Sequence, residues 1–160
     1  FYVGWPHAWA VFPMVREVYA QDAVNAKEPL FGLGQPNDAY AAYFTGQSYL
    51  NPLTTQGITV CNVTFEPRCR NNWHIHHGGG QILLCTDGEG WYQQWGQPAR
   101  SLHPGDVVYI PPEVKHWHGA AEDWFSHAAI EIPAPDASNE WLEPVSDEEY
   151  NALTRIQTEE

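Results

Sequence analysis

Four of the chain's eight histidines come as two alternating pairs, His74-Ile75-His76 and His116-Trp117-His118. In an extended strand successive side chains point to opposite faces, so both members of a pair project to the same side. Gln81 follows the first pair after His77-Gly78-Gly79-Gly80, and those glycines allow a tight return that folds the amide oxygen back toward the two imidazoles. Either His116 or His118 can complete the set from a later strand. Three neutral imidazoles and an oxygen donor suit one borderline divalent ion, Mn, Fe, Co, Ni or Zn, with coordination positions left open for substrate or water. This is the donor pattern of a catalytic centre rather than a sealed structural one. An H-x-H alone is more often polar filler than a ligand pair. The added weight comes from a second, separate segment, Gly105 to His116, which ends on a candidate ligand.

Strands must hold these side chains, and short ones are what the second half of the chain offers. Runs at 58–65, 72–76, 81–86, 90–95, 99–103, 106–110, 115–119 and 124–132 are each bounded by Gly, Pro, Asn or Asp. Many short strands at that rhythm indicate a β-sandwich or barrel. Ser146 with Glu149 three residues later is a capping-box signature, so a short closing helix is expected to about Ile156. At the other end Trp5, Trp9, Phe12, Val15 and Tyr19 have helical spacing, with Pro13 bending the segment. Residues 22–46 read as a linker or arm, and 47–160 as the barrel with its closing helix.

Composition narrows the function classes. The formal charge is −13, from 20 acidic against seven basic residues, so nucleic acid and anionic membranes would be repelled. No apolar run approaches the roughly 18 residues a membrane span needs, and no signal peptide is visible. A cytoplasmic location is the expectation. Cys61, Cys69 and Cys85 form no C-x-x-C and leave one thiol over, which argues for reduced packing residues rather than a disulfide framework. The apolar Trp5, Trp9 and Phe12 stripe needs cover, and a homodimer is expected.

The two histidine-bearing segments resemble the two motifs of the cupin superfamily. The first matches at His74, His76 and Gly88, with Gln81 where the family usually has Glu and Arg68 where it usually has Gly. The second matches at Gly105, Pro111 and His116, with Glu113 and Ala120 in place of Gly and Asn. The resemblance implies an all-β fold, a double-stranded β-helix or jelly-roll barrel. It also implies one metal ion on His74, His76, Gln81 and His116. Three histidines with one glutamine resemble the subset that includes pectin-degradation cupins and bacterial manganese-dependent hydroxynitrile lyases. Similarity to the lyases runs through 63–67, 115–121, Ser126-His127 and 148–150. The first nine residues are similar to the closing helix of carboxymuconolactone decarboxylase-like proteins, which would make 1–21 a remnant of such a domain and His7 a helix-surface residue.

A neutral Gln leaves the cation more positive than a Glu does, which favours Lewis-acid chemistry. The leading expectation is a metal-dependent lyase, decarboxylase or isomerase acting on a small oxygenated or carboxylated molecule. His118 and His127 would handle protons, since imidazole titrates near neutral pH. A metal-dependent dioxygenase and a non-catalytic small-ligand binder are the alternatives. His77, on the outward face, and His103, in a turn before Pro104, are not expected to be ligands.

Overall fold

The computed structural model describes residues 28–157. The helix expected near the N-terminus, with His7, lies outside the described residues. In chain order the elements are β1 (Gln35–Pro36), a 3-10 helix (Asp38–Tyr43), β2 (Phe44–Thr45), β3 (Ser48–Thr54), β4 (Thr59–Phe65), β5 (Arg70–Asn71), β6 (His74–His77), β7 (Gln81–Gln94), β8 (Arg100–Leu102), β9 (Val107–Ile110), β10 (His116–Glu131), β11 (Ser138–Trp141) and α1 (Asp147–Gln157). The segment read as an arm thus carries short elements from Gln35 onward.

Two long strands organise the barrel. β7 and β10 run antiparallel from His116↔Gln94 at one end to Glu131↔Gln81 at the other. The first half of β10 also pairs with β5 and β6, and its second half pairs with β4. A sheet whose central strands take different partners along their length curls into an all-β barrel rather than lying open. The sequence pattern divides each long strand in two, at 81–86 with 90–95 and at 115–119 with 124–132. The reason is a bend. Gly88 has φ +71°, a Cβ there would lie 1.6 Å from the Trp124 oxygen, and the register shifts between Ala120 and Phe125. The chain kinks there without losing its pairing.

Inward positions of the strands build the core, with Phe65, Leu83, Leu102, Ile110 and Phe125 fully buried. A second cluster of Trp73, Trp91, Trp117, Val145 and Tyr150 lies against the C-terminal segment. Ser146 Oγ accepts the Glu149 amide at 3.1 Å, the cap read from sequence, and Tyr150 donates to the Ala120 carbonyl at 2.6 Å. Trp95 is largely exposed and carries Lys115 Nζ 3.5 Å above its ring. Among the described residues, no helix is long and apolar enough to cross a membrane.

Two departures from the family motif have a shared backbone explanation. Arg68 and Glu113, where the family usually has Gly, sit at φ +68° and +67°, a region costing a side-chain-bearing residue about 1–2 kcal/mol. Each side chain is engaged. Arg68 reaches Glu122 at 2.6 Å and Asn151, and it lies over the Tyr150 ring. Glu113 accepts from His77 at 2.5 Å and from the Gly78 amide at 3.1 Å.

Candidate metal centre

β6 delivers His74 and His76 to the barrel interior on alternate positions, and both are buried. β10 begins with His116, paired directly to His74, so their rings lie 4.1 Å apart. His76 completes a triangle at 5.1 Å from each. Gln81 starts β7 after a hairpin where only glycine fits. At Gly79, with φ +58°, a Cβ would meet the Ile132 oxygen at 2.0 Å.

Each ring has its Nδ1 engaged. His74 Nδ1 donates to the Asn72 carbonyl at 2.8 Å and His116 Nδ1 to the Val114 carbonyl at 2.9 Å. His76 Nδ1 donates to Asn139 Oδ1 at 2.6 Å. With the proton held at Nδ1, Nε2 keeps a bare lone pair. Gln81 repeats the pattern, its Nε2 donating to Glu131 Oε1 at 2.5 Å. His76 Nε2, His116 Nε2 and Gln81 Oε1 are buried with no hydrogen-bond partner. A buried acceptor without a donor costs about 1–3 kcal/mol, and two of the three belong to residues lining one cavity, His76 and Gln81, which suits a cation. A metal ion therefore fits the donors present.

Ring nitrogens of His74, His116 and His118 all lie within 4.8 Å of one another, so position alone also admits His118 as the third histidine. Its hydrogen bonds argue otherwise. Asn71 Oδ1 accepts the His118 backbone amide at 2.9 Å, which fixes the orientation of the Asn71 side chain. Asn71 Nδ2 then donates to His118 Nε2 at 3.1 Å, occupying that lone pair. His118 Nδ1 in turn donates to His127 Nε2 at 3.0 Å, leaving the His127 Nδ1 proton buried and unpartnered. His118 and His127 form a buried, hydrogen-bonded pair beside the triangle, with fixed tautomers.

Burial sets the charge of four of these rings, His74, His116, His118 and His127. Desolvation, with His116 and His76 beside it, holds His74 well below the ordinary imidazole range. Desolvation lowers His116 to about 4 and His127 to about 3. It also pulls His118 down, assisted by His127. These rings are neutral at pH 7 and ready to bind as lone-pair donors. His77 behaves in the opposite way. Hydrogen bonds to Glu140 and then Glu113 raise it, and it is partly exposed, among the residues that line the cavity described below. His103 is likewise exposed in its turn.

A cavity of about 450 Å³ opens beside the triangle. Tyr40, Phe44, Val63, Phe65 and Trp141 supply apolar wall; among the described residues Glu131 is its only lining carboxylate, and no Lys or Arg lines it. Trp141 stacks on Tyr43 at 4.7 Å and leans on the His74 ring at 4.7 Å. Asn71, Glu131, Asn139 and Trp141 were not singled out by the sequence pattern. β11 has no alternation and is mostly exposed, so only its pairing with β6 makes it a strand. Cys61 lines the cavity half-buried, while burial pushes the Cys69 and Cys85 thiols up to about 12, as inert packing groups.

The family model for the cupin domain matches residues 61–124. The chain is 41% identical over 115 residues to an (R)-mandelonitrile lyase of Granulicella tundricola, a match covering 69% of this chain and 87% of that protein. The chain belongs to the cupin family. Among solved structures, a cupin-like protein of Thermotoga maritima is 42% identical with a TM-score of 0.71, covering 78% of this chain and 96% of that one. A DMSP lyase of Ruegeria pomeroyi shares the fold at 18% identity and a TM-score of 0.53, covering 84% and 70%. Gln81, at the position where cupins usually carry Glu, has a carboxylate one hydrogen bond behind it.

Proposed function

We propose that this chain is a metal-dependent cupin lyase that cleaves a small neutral hydroxy compound bearing an apolar or aromatic substituent, a 2-hydroxynitrile such as mandelonitrile being the first candidate. In this reading His74, His76, Gln81 and His116 hold one divalent ion through three Nε2 atoms and one amide oxygen. The observation that carries it is the set of bare buried acceptors, His76 Nε2, His116 Nε2 and Gln81 Oε1, beside His118, whose lone pair Asn71 already occupies. When bound, the ion supplies Lewis-acid polarisation of a substrate oxygen.

The chain's own residues do the rest. Aromatic walls, with no Lys or Arg among the described lining residues, favour an uncharged substrate over a carboxylate, which shifts the balance from decarboxylation toward lyase chemistry. Trp141, Tyr40 and Phe44 would seat the substituent and exclude water. His118 exchanges its Asn71 donor for the substrate hydroxyl and takes that proton at Nε2. The carbon–cyanide bond breaks as the carbonyl forms, and the proton leaves with cyanide. His127 accepts the His118 Nδ1 proton bond throughout, holding that ring in place. Similarity to the mandelonitrile lyase supports the reading.

Purified protein loaded with Mn²⁺, Fe²⁺ or Co²⁺ is expected to release benzaldehyde and cyanide from mandelonitrile. His74→Ala should lose both metal and turnover, and His118→Ala should lose turnover while keeping metal. Tight ligand binding with no turnover in any metal form would instead make this a binding protein, and a His74→Ala variant that retains stoichiometric metal would overturn the ligand set.

A further inference from the structure

We infer that Glu131 is a positioning residue of the metal centre: its carboxylate fixes Gln81 as an oxygen donor and restores to the site the negative charge that a neutral amide lacks. This deepens, and rests on, the ligand set proposed above. Glu131 ends β10 directly across from Gln81 at the start of β7, and it lines the cavity. Gln81 Nε2 donates to its Oε1 at 2.5 Å, while Gln81 Oε1 is buried with no donor.

An amide can present either end to a cavity. An ionised carboxylate has only acceptors, so it bonds only the NH₂ end. Glu131 thereby turns the oxygen of Gln81 inward. With the amide reversed, two oxygens would face each other at hydrogen-bond distance, and the NH₂ would lie where the buried Oε1 now has no donor, offering a cation no lone pair. The carboxylate blocks that outcome. Its charge also polarises the amide through a charge-assisted hydrogen bond, making the oxygen a stronger donor. The site is thus a carboxylate site divided over two residues, with a neutral ligand in contact and the charge one bond behind.

The test uses Co²⁺ on metal-stripped full chain, reading affinity by titration and coordination by the visible absorption of bound Co²⁺. Glu131→Leu is expected to weaken Co²⁺ binding by about 10–100-fold and alter the spectrum. Glu131→Gln, free to present either end, should fall between. Gln81→Glu alone sets two carboxylates against each other and should also weaken binding. The exchanged pair, Gln81→Glu with Glu131→Gln, should recover to within about three-fold of the parent, a coupling that two independent residues would not show. Wild-type affinity in Glu131→Leu, or a double variant no better than Gln81→Glu, overturns the inference. If Glu131→Leu does not fold, the near-isosteric Glu131→Gln and the exchanged pair carry the test. His74→Ala separates the two levels. Loss of Co²⁺ there with no effect at Glu131 sinks only this inference, whereas retained Co²⁺ sinks the ligand set beneath it.

Discussion

The candidate centre has two halves that are held in place by different means. His74 and His116 each donate Nδ1–H to a main-chain carbonyl two residues earlier, at Asn72 and Val114. His76 and Gln81 instead lean on side chains 63 and 50 residues away, Asn139 and Glu131. A main-chain carbonyl can only accept, and no substitution removes it, so the first half keeps its tautomers in any sequence that keeps the strands. The second half depends on which side chains evolution placed opposite. That is where affinity and charge can be tuned without touching a ligand.

Acid should act on the main-chain-held half and on the pair beside it. The folded-state pKa values of His74, His116, His118 and His127 lie below the ordinary 6.5, at about 4 for His116 and about 3 for His127. The unfolded chain therefore binds more protons in this window, and stability is complete above about pH 6.5 and is lost as pH falls toward 4. The urea midpoint of metal-free protein should drop steadily over that range. A flat profile would mean that the rings are not buried neutral.

At fixed pH, His116→Ala removes a ring from the main-chain-held half, and metal should be lost on dialysis, as read by elemental analysis. Asn139→Leu should weaken metal binding by about 10–100-fold, with Asn139→Asp, an obligate acceptor, restoring it. If Asn139→Leu binds metal as the parent does, the distinction between the halves fails. Asn71→Leu, beside the centre, should leave metal affinity near that of the parent. It should cost about 1–3 kcal/mol of stability, because the His118 amide is left without its acceptor. The smallest effect is expected at Arg68→Gly. Relief of a positive φ worth about 1–2 kcal/mol offsets the lost Glu122 and Tyr150 contacts, so the net shift in unfolding free energy should lie within about 1 kcal/mol.

The parts of the centre legible in sequence were those with local rules. The period of two placed His74 and His76 on one face, and their burial on β6 follows it. The capping Ser146 announced α1, and glycines announced the turn before Gln81. What escaped notice has no local pattern. Asn139 and Trp141 sit on a polar, exposed four-residue strand, and Glu131 and Asn71 look like ordinary strand-end polar residues. The choice between His116 and His118 could not be made from alternation, because both face inward and both are buried. Motif resemblance favoured His116. The hydrogen bond from Asn71 occupies the lone pair that His118 would offer a cation, which is the physical support for the His116 reading proposed above.

Sequence by itself determined the inventory: which strands carry imidazoles, which face they take, and that a glutamine stands where an acid is usual. Those follow from backbone periodicity and steric rules acting over a few residues. Only the tertiary structure decided how each donor is oriented, which lone pairs stay bare, and that a carboxylate backs the glutamine. Those depend on partners brought within 3 Å from dozens of residues away, and chain closure over such distances leaves no trace in local sequence.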